Sequence, residues 1–358
     1  MIETENLPNA VLPKSPSTLQ PTTKASRRPR LGFVGVGWIG RHRLEGVRKS
    51  ELAEISSFFD PAAPGDALPG IQRKRTLEEL LASDLDGVVI ATPNALHAEQ
   101  TLAALRAGKA VFCQKPLART SDECRRVLVA AQQADRNIGV DFSYRFCRGM
   151  QRIRDLIDSG ALGKIYGIEL KFHNAYGPDK PWFYDRALSG GGCLLDLGVH
   201  LLDLVFWLFP GRECASVASQ LYRKGECWTP RPGANSSAED TSVEDYVAAQ
   251  FRLENGPAIQ LVCSWRAPAG RDAEIEATFF GTQGGARFEN LNGSFFDFRA
   301  ERYFPDRSRE TLAEPPEDWG AGAILHWVRQ IDLSPRYDPS AESLLRTAEV
   351  IDQIYASV

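Results

Sequence analysis

An α/β domain of parallel strands, followed by an α+β domain built on a mostly antiparallel sheet, is the fold class that this 358-residue chain predicts. Three observations predict it. From residue 30 to about 148, short apolar runs alternate with helix-period stretches, the pattern of a parallel sheet covered on both faces. Beyond 148, apolar and polar residues alternate between Gly and Asn turns, as in strands with one exposed face. With 43% hydrophobic residues the chain can also bury more than one sizeable core, which fits two domains.

Residues 1–29 are rich in Pro, Ser, Thr and Asn with few large apolar groups, and read as a flexible N-terminal arm. Ser26, Arg27 and Arg28 before Leu31 to Ile39 imitate a twin-arginine export signal. No small-residue cleavage site follows, and Arg41, His42 and Arg43 interrupt the apolar run, so it reads as domain core. "RLGFVGVGWIG" (30–40) then gives a strand, a tight turn at Gly35, Gly37 and Gly40, and a helix opening at Trp38 and Ile39. Glycines there let the backbone approach a pyrophosphate, and the helix N-terminus offers unpaired N–H groups. Asp60 ends the next strand, about twenty residues on, where a carboxylate meets the ribose hydroxyls. No arginine follows it at once to accept a 2′-phosphate, so NAD is favoured over NADP.

"DGVVIAT" (86–92) and "KAVFCQ" (109–114) continue the buried strands, with a helix from His97 to Gly108 between them, and a further helix and strand reach residue 148. Ligands of such sheets bind beyond the carboxyl ends of the strands. Thr92, Pro93, Asn94 and Lys115 fall there. Lysine is almost never fully buried unless paired, yet Lys115 follows Val111, Phe112 and Cys113 directly. Pro116 cannot donate to the sheet and biases Lys115 away from helical geometry, which leaves the lysine extended over the cleft.

The second domain is expected over 149–339, with 340–358 a C-terminal helix packing near the first domain, itself 30–148. Its most informative stretch is "SGGGCLLDLGVHLLDLVFWLF" (189–209). Asp196, His200 and Asp203 are spaced four and three apart, on one face of an otherwise apolar helix. Such a polar stripe faces a polar cavity or is paired internally, because unpaired buried charge is costly. For Asp203 the structural pairing is as good a reading as the functional one. Ahead of the glycines, "HNAYGPDKPWFYDR" supplies Tyr176, Lys180, Trp182, Tyr184 and Arg186, flat faces and donors that suit a hydroxyl-rich ring or, equally, core packing.

Composition excludes other classes. Lys and Arg total 42 against 46 Asp and Glu, a net charge of −4, so no large field recruits nucleic acid or an anionic membrane. The seven cysteines are scattered, and there is neither a CxxC pair nor an HExxH. That fits reduced thiols in a cytoplasmic protein without a metal site. The apolar run Cys193 to Phe209 is short for a membrane span and carries two aspartates and a histidine.

In order along the chain, "GFVGVGWIG", "IATPNALH", "CQKPLA" and "GGGCLLDLGVHLLD" resemble the motifs of the glucose-fructose oxidoreductase, inositol dehydrogenase and MocA family. The resemblance runs from residue 30 to the C-terminus. It implies a Rossmann domain plus a domain with a large open-faced sheet, a homodimer or homotetramer, and nicotinamide-dependent oxidation or reduction of a sugar or cyclitol carbon. On the matching motifs, cofactor contacts fall on Gly35, Gly37, Trp38, Ile39, Gly40, Thr92, Pro93, Asn94, His97, Gln114 and Lys115, beside the Asp60 already read from its spacing. The catalytic set falls on Lys115, Asp196 and His200, which are expected substrate contacts too, together with Trp182 and Arg186, which resemble a family element before the glycines, and with Tyr176 and Tyr184 from the residue reading above. The expected chemistry has His200 as general base, Asp196 stabilising its imidazolium, and Lys115 stabilising the developing alkoxide. Gln114 departs from the family's Glu-Lys-Pro and removes a negative charge beside the amine. Two other classes remain open on sequence alone: a redox-neutral glycosidase that keeps NAD bound, and a non-catalytic dinucleotide-sensing regulator.

Overall fold

A computed structural model describes residues 27–64, 66–230 and 241–358. Residues 1–26 of the expected arm, and most of the polar loop near 229–242, lie outside the described residues. The first half builds β1 (Arg30–Val34), α1 (Trp38–Ser50), β2 (Glu54–Phe59), β3 (Gln72–Arg73), α2 (Leu77–Leu81), β4 (Gly87–Ile90), α3 (Asn94–Arg106), β5 (Ala110–Cys113), α4 (Ser121–Ala134) and β6 (Ile138–Val140). All pairs in its six-stranded sheet are parallel, in the order β3-β2-β1-β4-β5-β6. The order reverses between β1 and β4, and the crevice beyond the ends of those two strands is where such sheets bind ligands. β4 and β5 are buried at every position, as their unbroken apolar runs require.

The second half adds α5 (Arg148–Asp158), β7 (Ile165–Asn174), α6 (Arg186–Ser189), α7 (Val199–Leu208), β8 (Cys214–Arg223), β9 (Glu226–Cys227), β10 (Tyr246–Leu253), β11 (Ala258–Ser264), β12 (Ala273–Gly281), β13 (Gly284–Asn290), β14 (Phe298–Tyr303) and β15 (Arg309–Ala313). The nine strands run β15-β14-β13-β12-β7-β11-β10-β8-β9, and every pair is antiparallel except β7 with β11. Along β10, Val247, Ala249, Phe251 and Leu253 are buried while Tyr246, Gln250 and Arg252 are exposed, so the helices cover one face and the other stays open. This is the predicted class: a Rossmann-type sheet followed by a large open-faced one.

The chain ends in α8 (Gly322–Leu333) and α9 (Glu342–Ala356). The sequence grouped α8 with the second domain. In the structure it packs on the first sheet: the indole of Trp327 fills a slot where a Cβ at Gly87 would come within 2.6 Å of it and one at Gly139 within 2.8 Å. Two missing side chains, on β4 and β6 at either side of β5, make that slot, and helical periodicity alone carries no trace of it. α9 lies against both α4 and α7 and so bridges the halves. The helical run Arg186–Leu208 is long and apolar enough to cross a membrane, but its most apolar 18-residue stretch is 83% buried inside the molecule.

Candidate active site

The glycine turn is built for close approach. Gly35 has φ +84°, and a Cβ there would lie 2.5 Å from the Ala91 carbonyl oxygen. A Cβ on Gly40 would meet the Gly35 carbonyl oxygen at 2.3 Å, whereas above Gly37 there is open space. Gly37 caps α1 without a side-chain partner, leaving the first-turn N–H groups free to bind an anion. Asp60 accepts from Val36 N at 2.8 Å with one oxygen and from Ala62 N and Ala63 N, at 2.8 and 3.2 Å, with the other. It thereby ties the end of β2 to the glycine turn. Arg73, thirteen positions later, brings Nη2 to 3.2 Å from the Asp60 carbonyl oxygen. Strand pairing puts it there, and local sequence does not reveal it.

Next to this turn opens a cavity of about 710 Å³, walled by both halves of the chain. Trp38, Ile39, Thr92, Pro93, Asn94, Gln114 and Lys115 line it from the first half, and Trp182, Phe183, Asp196 and His200 from the second. Lys115 Nζ donates to Oδ1 and to the carbonyl oxygen of Asp196, each at 2.7 Å. The amine that the strand carries to the cleft is therefore paired across the two halves. Asp196 Oδ2 accepts from Trp265 Nε1 at 3.0 Å. Trp265 follows β11 directly and was not foreseen, because its partner is 69 residues away. The Lys115–Pro116 peptide bond is cis.

His200 lies deeper. Its ring stands edge-on to Tyr144 at 5.1 Å and to Phe142 at 6.1 Å, and its buried Nδ1 has no hydrogen-bond partner among the described residues. Burial, and then the positive charges of Lys115 and Arg43, push its pKa well below the ordinary histidine value. The ring is neutral near pH 7. The expected Asp196–His200 contact is not made, because the Asp196 carboxylate is committed to Lys115 and Trp265.

Asp203 departs from the expected stripe. Residues Leu194–Gly198 form a π turn, with Val199 N bonded to Leu194 O, and the wider repeat breaks the phase that an unbroken α-helix would keep. Asp203 faces Arg145 instead, accepting from both Nε and Nη2, and burial raises its pKa to about 6. It is an internal ion pair. The turn itself hangs on Glu244, whose carboxylate takes Gly192 N and Leu194 N at 3.0 Å and the Tyr355 hydroxyl at 2.9 Å.

Several other expected residues do different work. His97 is buried, with Nδ1 2.7 Å from Pro116 O and Nε2 2.7 Å from Thr92 O, so it joins the loops after β4 and β5 and has no nitrogen left for a ligand. Thr92 Oγ1 donates to Gln100 Oε1 at 2.7 Å, and Asn94 Nδ2 to Ser189 O at 2.9 Å. Gln114 Nε2 donates to Asp141, which also accepts Arg43 Nε at 2.5 Å and Ser143 Oγ at 2.8 Å. Of the aromatic and basic residues ahead of the glycines, Lys180 and Trp182 reach the cavity, but Tyr176, Tyr184 and Arg186 do not. Tyr176 bonds Asp272, and Tyr184 donates to Pro178 O at 2.9 Å and packs edge-on to Trp265. Arg186 lies over the rings of Trp228 and Tyr355, at 5.9 and 6.0 Å.

Comparison with known proteins agrees with this architecture. The family model described as an oxidoreductase family with an NAD-binding Rossmann fold matches residues 29–142, and that of the GFO/IDH/MocA C-terminal domain matches residues 150–287. A 1,5-anhydro-D-fructose reductase of Ensifer adhaerens is 34% identical over 197 residues, 53% of this chain and 59% of its own length, so the chain spans less than two thirds of that relative. A relative from Amycolatopsis mediterranei is 30% identical over 262 residues, 69% of this chain and 71% of its own. A solved levoglucosan dehydrogenase, in complex with NADH and levoglucosan, superimposes with a TM-score of 0.77 at 23% identity, covering 92% of this chain and 97% of that one.

Proposed function

The chain belongs to the GFO/IDH/MocA oxidoreductase family, and from that premise we propose that it transfers hydride between a nicotinamide dinucleotide and a secondary alcohol or ketone of a sugar, sugar derivative or cyclitol. The observation that carries this reading is the convergence of Lys115, Asp196 and His200 on one cavity beside the glycine turn. A bound nicotinamide would supply the hydride acceptor or donor. Gly35, Gly37 and the N-terminus of α1 would hold its pyrophosphate, with Asp60 at the ribose.

In oxidation, the substrate hydroxyl loses its proton to neutral His200 as negative charge grows on the oxygen. Lys115 stabilises that charge as a fixed cation. Asp196 holds the amine in place through two hydrogen bonds and keeps the local charge balanced. Its part is to orient Lys115, since it does not touch the imidazole. In reduction His200 returns the proton. Trp182 and the rings lining the cavity offer flat faces to a sugar ring.

NAD is the proposed cofactor because the Asp60 carboxylate opposes a 2′-phosphate, although Arg73 lies close enough to soften the preference. A panel of sugars and polyols assayed with NAD and NADP, following reduced nicotinamide, tests both parts. The expected result is reduction with at least one substrate and a larger kcat/KM with NAD. Asp60→Ala is expected to lower kcat/KM with NAD by about tenfold or more, and with NADP far less. Glycoside cleavage without net reduction would transfer the site to the glycosidase class. Seven free cysteines support a cytoplasmic setting, and the open face of the nine-stranded sheet supports a homodimer or homotetramer.

A further inference from the structure

Gln114 sits beside Lys115, and its orientation is decided by a carboxylate. Gln114 is 7% exposed and Asp141 1% exposed. A carboxylate accepts hydrogen bonds and donates none, so only the amide nitrogen of Gln114 can face it; the flipped amide would set oxygen against oxygen in a low-dielectric site. The amide oxygen is therefore the atom left over. It takes no hydrogen bond from any described residue, and Gln114 lines the cavity. Charge explains the choice of residue. Asp141 is balanced by Arg43 of α1, so the buried unit is neutral with glutamine at 114, whereas glutamate there would press a second carboxylate against Asp141. The other groups around the unit are His42, whose Nδ1 lies 2.8 Å from Arg43 Nη1 and which also feels the charge of Asp318, His200, which feels the charge of Arg43, the Ser143 hydroxyl, and Cys113 and Lys115 on either side of Gln114.

Resting on the redox reading above, we infer that Asp141 is a positioning residue: it turns the Gln114 amide oxygen into the cavity, so that a cation and a neutral acceptor stand side by side at the end of β5. That acceptor takes an N–H or O–H donor of the bound ligand. The donor comes either from the carboxamide of the nicotinamide or from a substrate hydroxyl.

Three variants test this: Gln114→Met, Gln114→Glu, and Gln114→Glu combined with Asp141→Asn. For each, the Kd for reduced nicotinamide dinucleotide is read by fluorescence and the KM for the active sugar by turnover, both across pH, with the thermal midpoint followed throughout. Gln114→Met is expected to weaken one of the two by about three- to tenfold, with a smaller change in kcat. The Kd arm identifies a cofactor donor and the KM arm a substrate donor. In Gln114→Glu two carboxylates share a site, which raises one pKa. Binding then gains a titration absent from the wild type: it stays near normal while the pair holds a proton and weakens as pH rises and the proton leaves. In the double variant the amide introduced at position 141 donates to the carboxylate introduced at position 114, the unit is neutral again, and that titration disappears. Wild-type binding by Gln114→Glu at every pH overturns the inference alone, as does a folded double variant that recovers nothing. A wild type that binds no reduced nicotinamide overturns the redox reading and this inference with it.

Discussion

His200→Ala lowers turnover in alcohol oxidation by about 10²- to 10⁴-fold, the range that a positioned proton-transfer group supplies. The ring is held between Tyr144 and Phe142, and its Nδ1 has no partner among the described residues, so the imidazole is fixed by packing with its titration free for chemistry. Wild-type turnover in the folded variant removes the role. The pH profile checks the same claim by another route. Burial and two nearby cations lower the pKa of His200, so the neutral ring persists below the ordinary value of 6.5. Oxidation needs that neutral form. kcat/KM for oxidation therefore stays level as pH falls through 6.5 and drops only at lower pH. Reduction needs the imidazolium as acid, so its rate declines as pH rises through the same low range. An oxidation limb that falls away above pH 6.5 contradicts the proposed environment.

What the sequence revealed of this site depends on whether the signal was local. Gly35, Gly37 and Gly40 lie within six residues of one another and encode one turn, and Asp60 ends the adjacent strand, so that unit reads directly from spacing. Lys115 was legible because a lysine and a proline interrupt an otherwise buried strand. The two sheets were legible for the same reason: β4 and β5 are continuously apolar, and β10 alternates along its length. Trp265, Tyr144, Arg43 and Asp141 were missed because each matters through a partner brought in by topology: Arg43 meets Asp141 across 98 positions and Trp265 meets Asp196 across 69. Tyr176, Tyr184 and Arg186 lie outside the cavity lining, and the sequence could not tell this for a converse reason. Aromatic and basic residues near a glycine run serve a sugar pocket and a packed loop equally well; here Tyr184 and Arg186 lie against other rings, while Tyr176 is exposed beside Asp272. The π turn at 194–198 is a backbone choice that hydrophobic periodicity cannot register, and it changes the phase between Asp196 and the face of α7 that carries Asp203.

Lys115→Met is the other substitution with a large expected effect, a loss of about 10²- to 10³-fold in kcat, as when one preorganised group facing the developing oxyanion is removed. Methionine keeps most of the length and apolar bulk of the lysine stem while deleting its charge. Two further consequences separate a chemical role from a merely structural one. The first concerns His200. Lys115 is the nearest cause, after burial, of its lowered pKa, so without the amine the pKa rises and the acid limb of oxidation moves to higher pH. The second concerns Asp196, whose carboxylate keeps Trp265 as partner but loses its counter-charge in a site where the two side chains are only 17–19% exposed. An uncompensated carboxylate there destabilises the fold. Asp196→Asn in the same chain removes that charge, so the double variant is expected to recover thermal stability relative to Lys115→Met and to recover none of the turnover. Stability and kcat restored together would mean that the amine serves packing alone. Stability restored with turnover still lost assigns the amine to the reacting oxygen, with Asp196 as the group that holds it there.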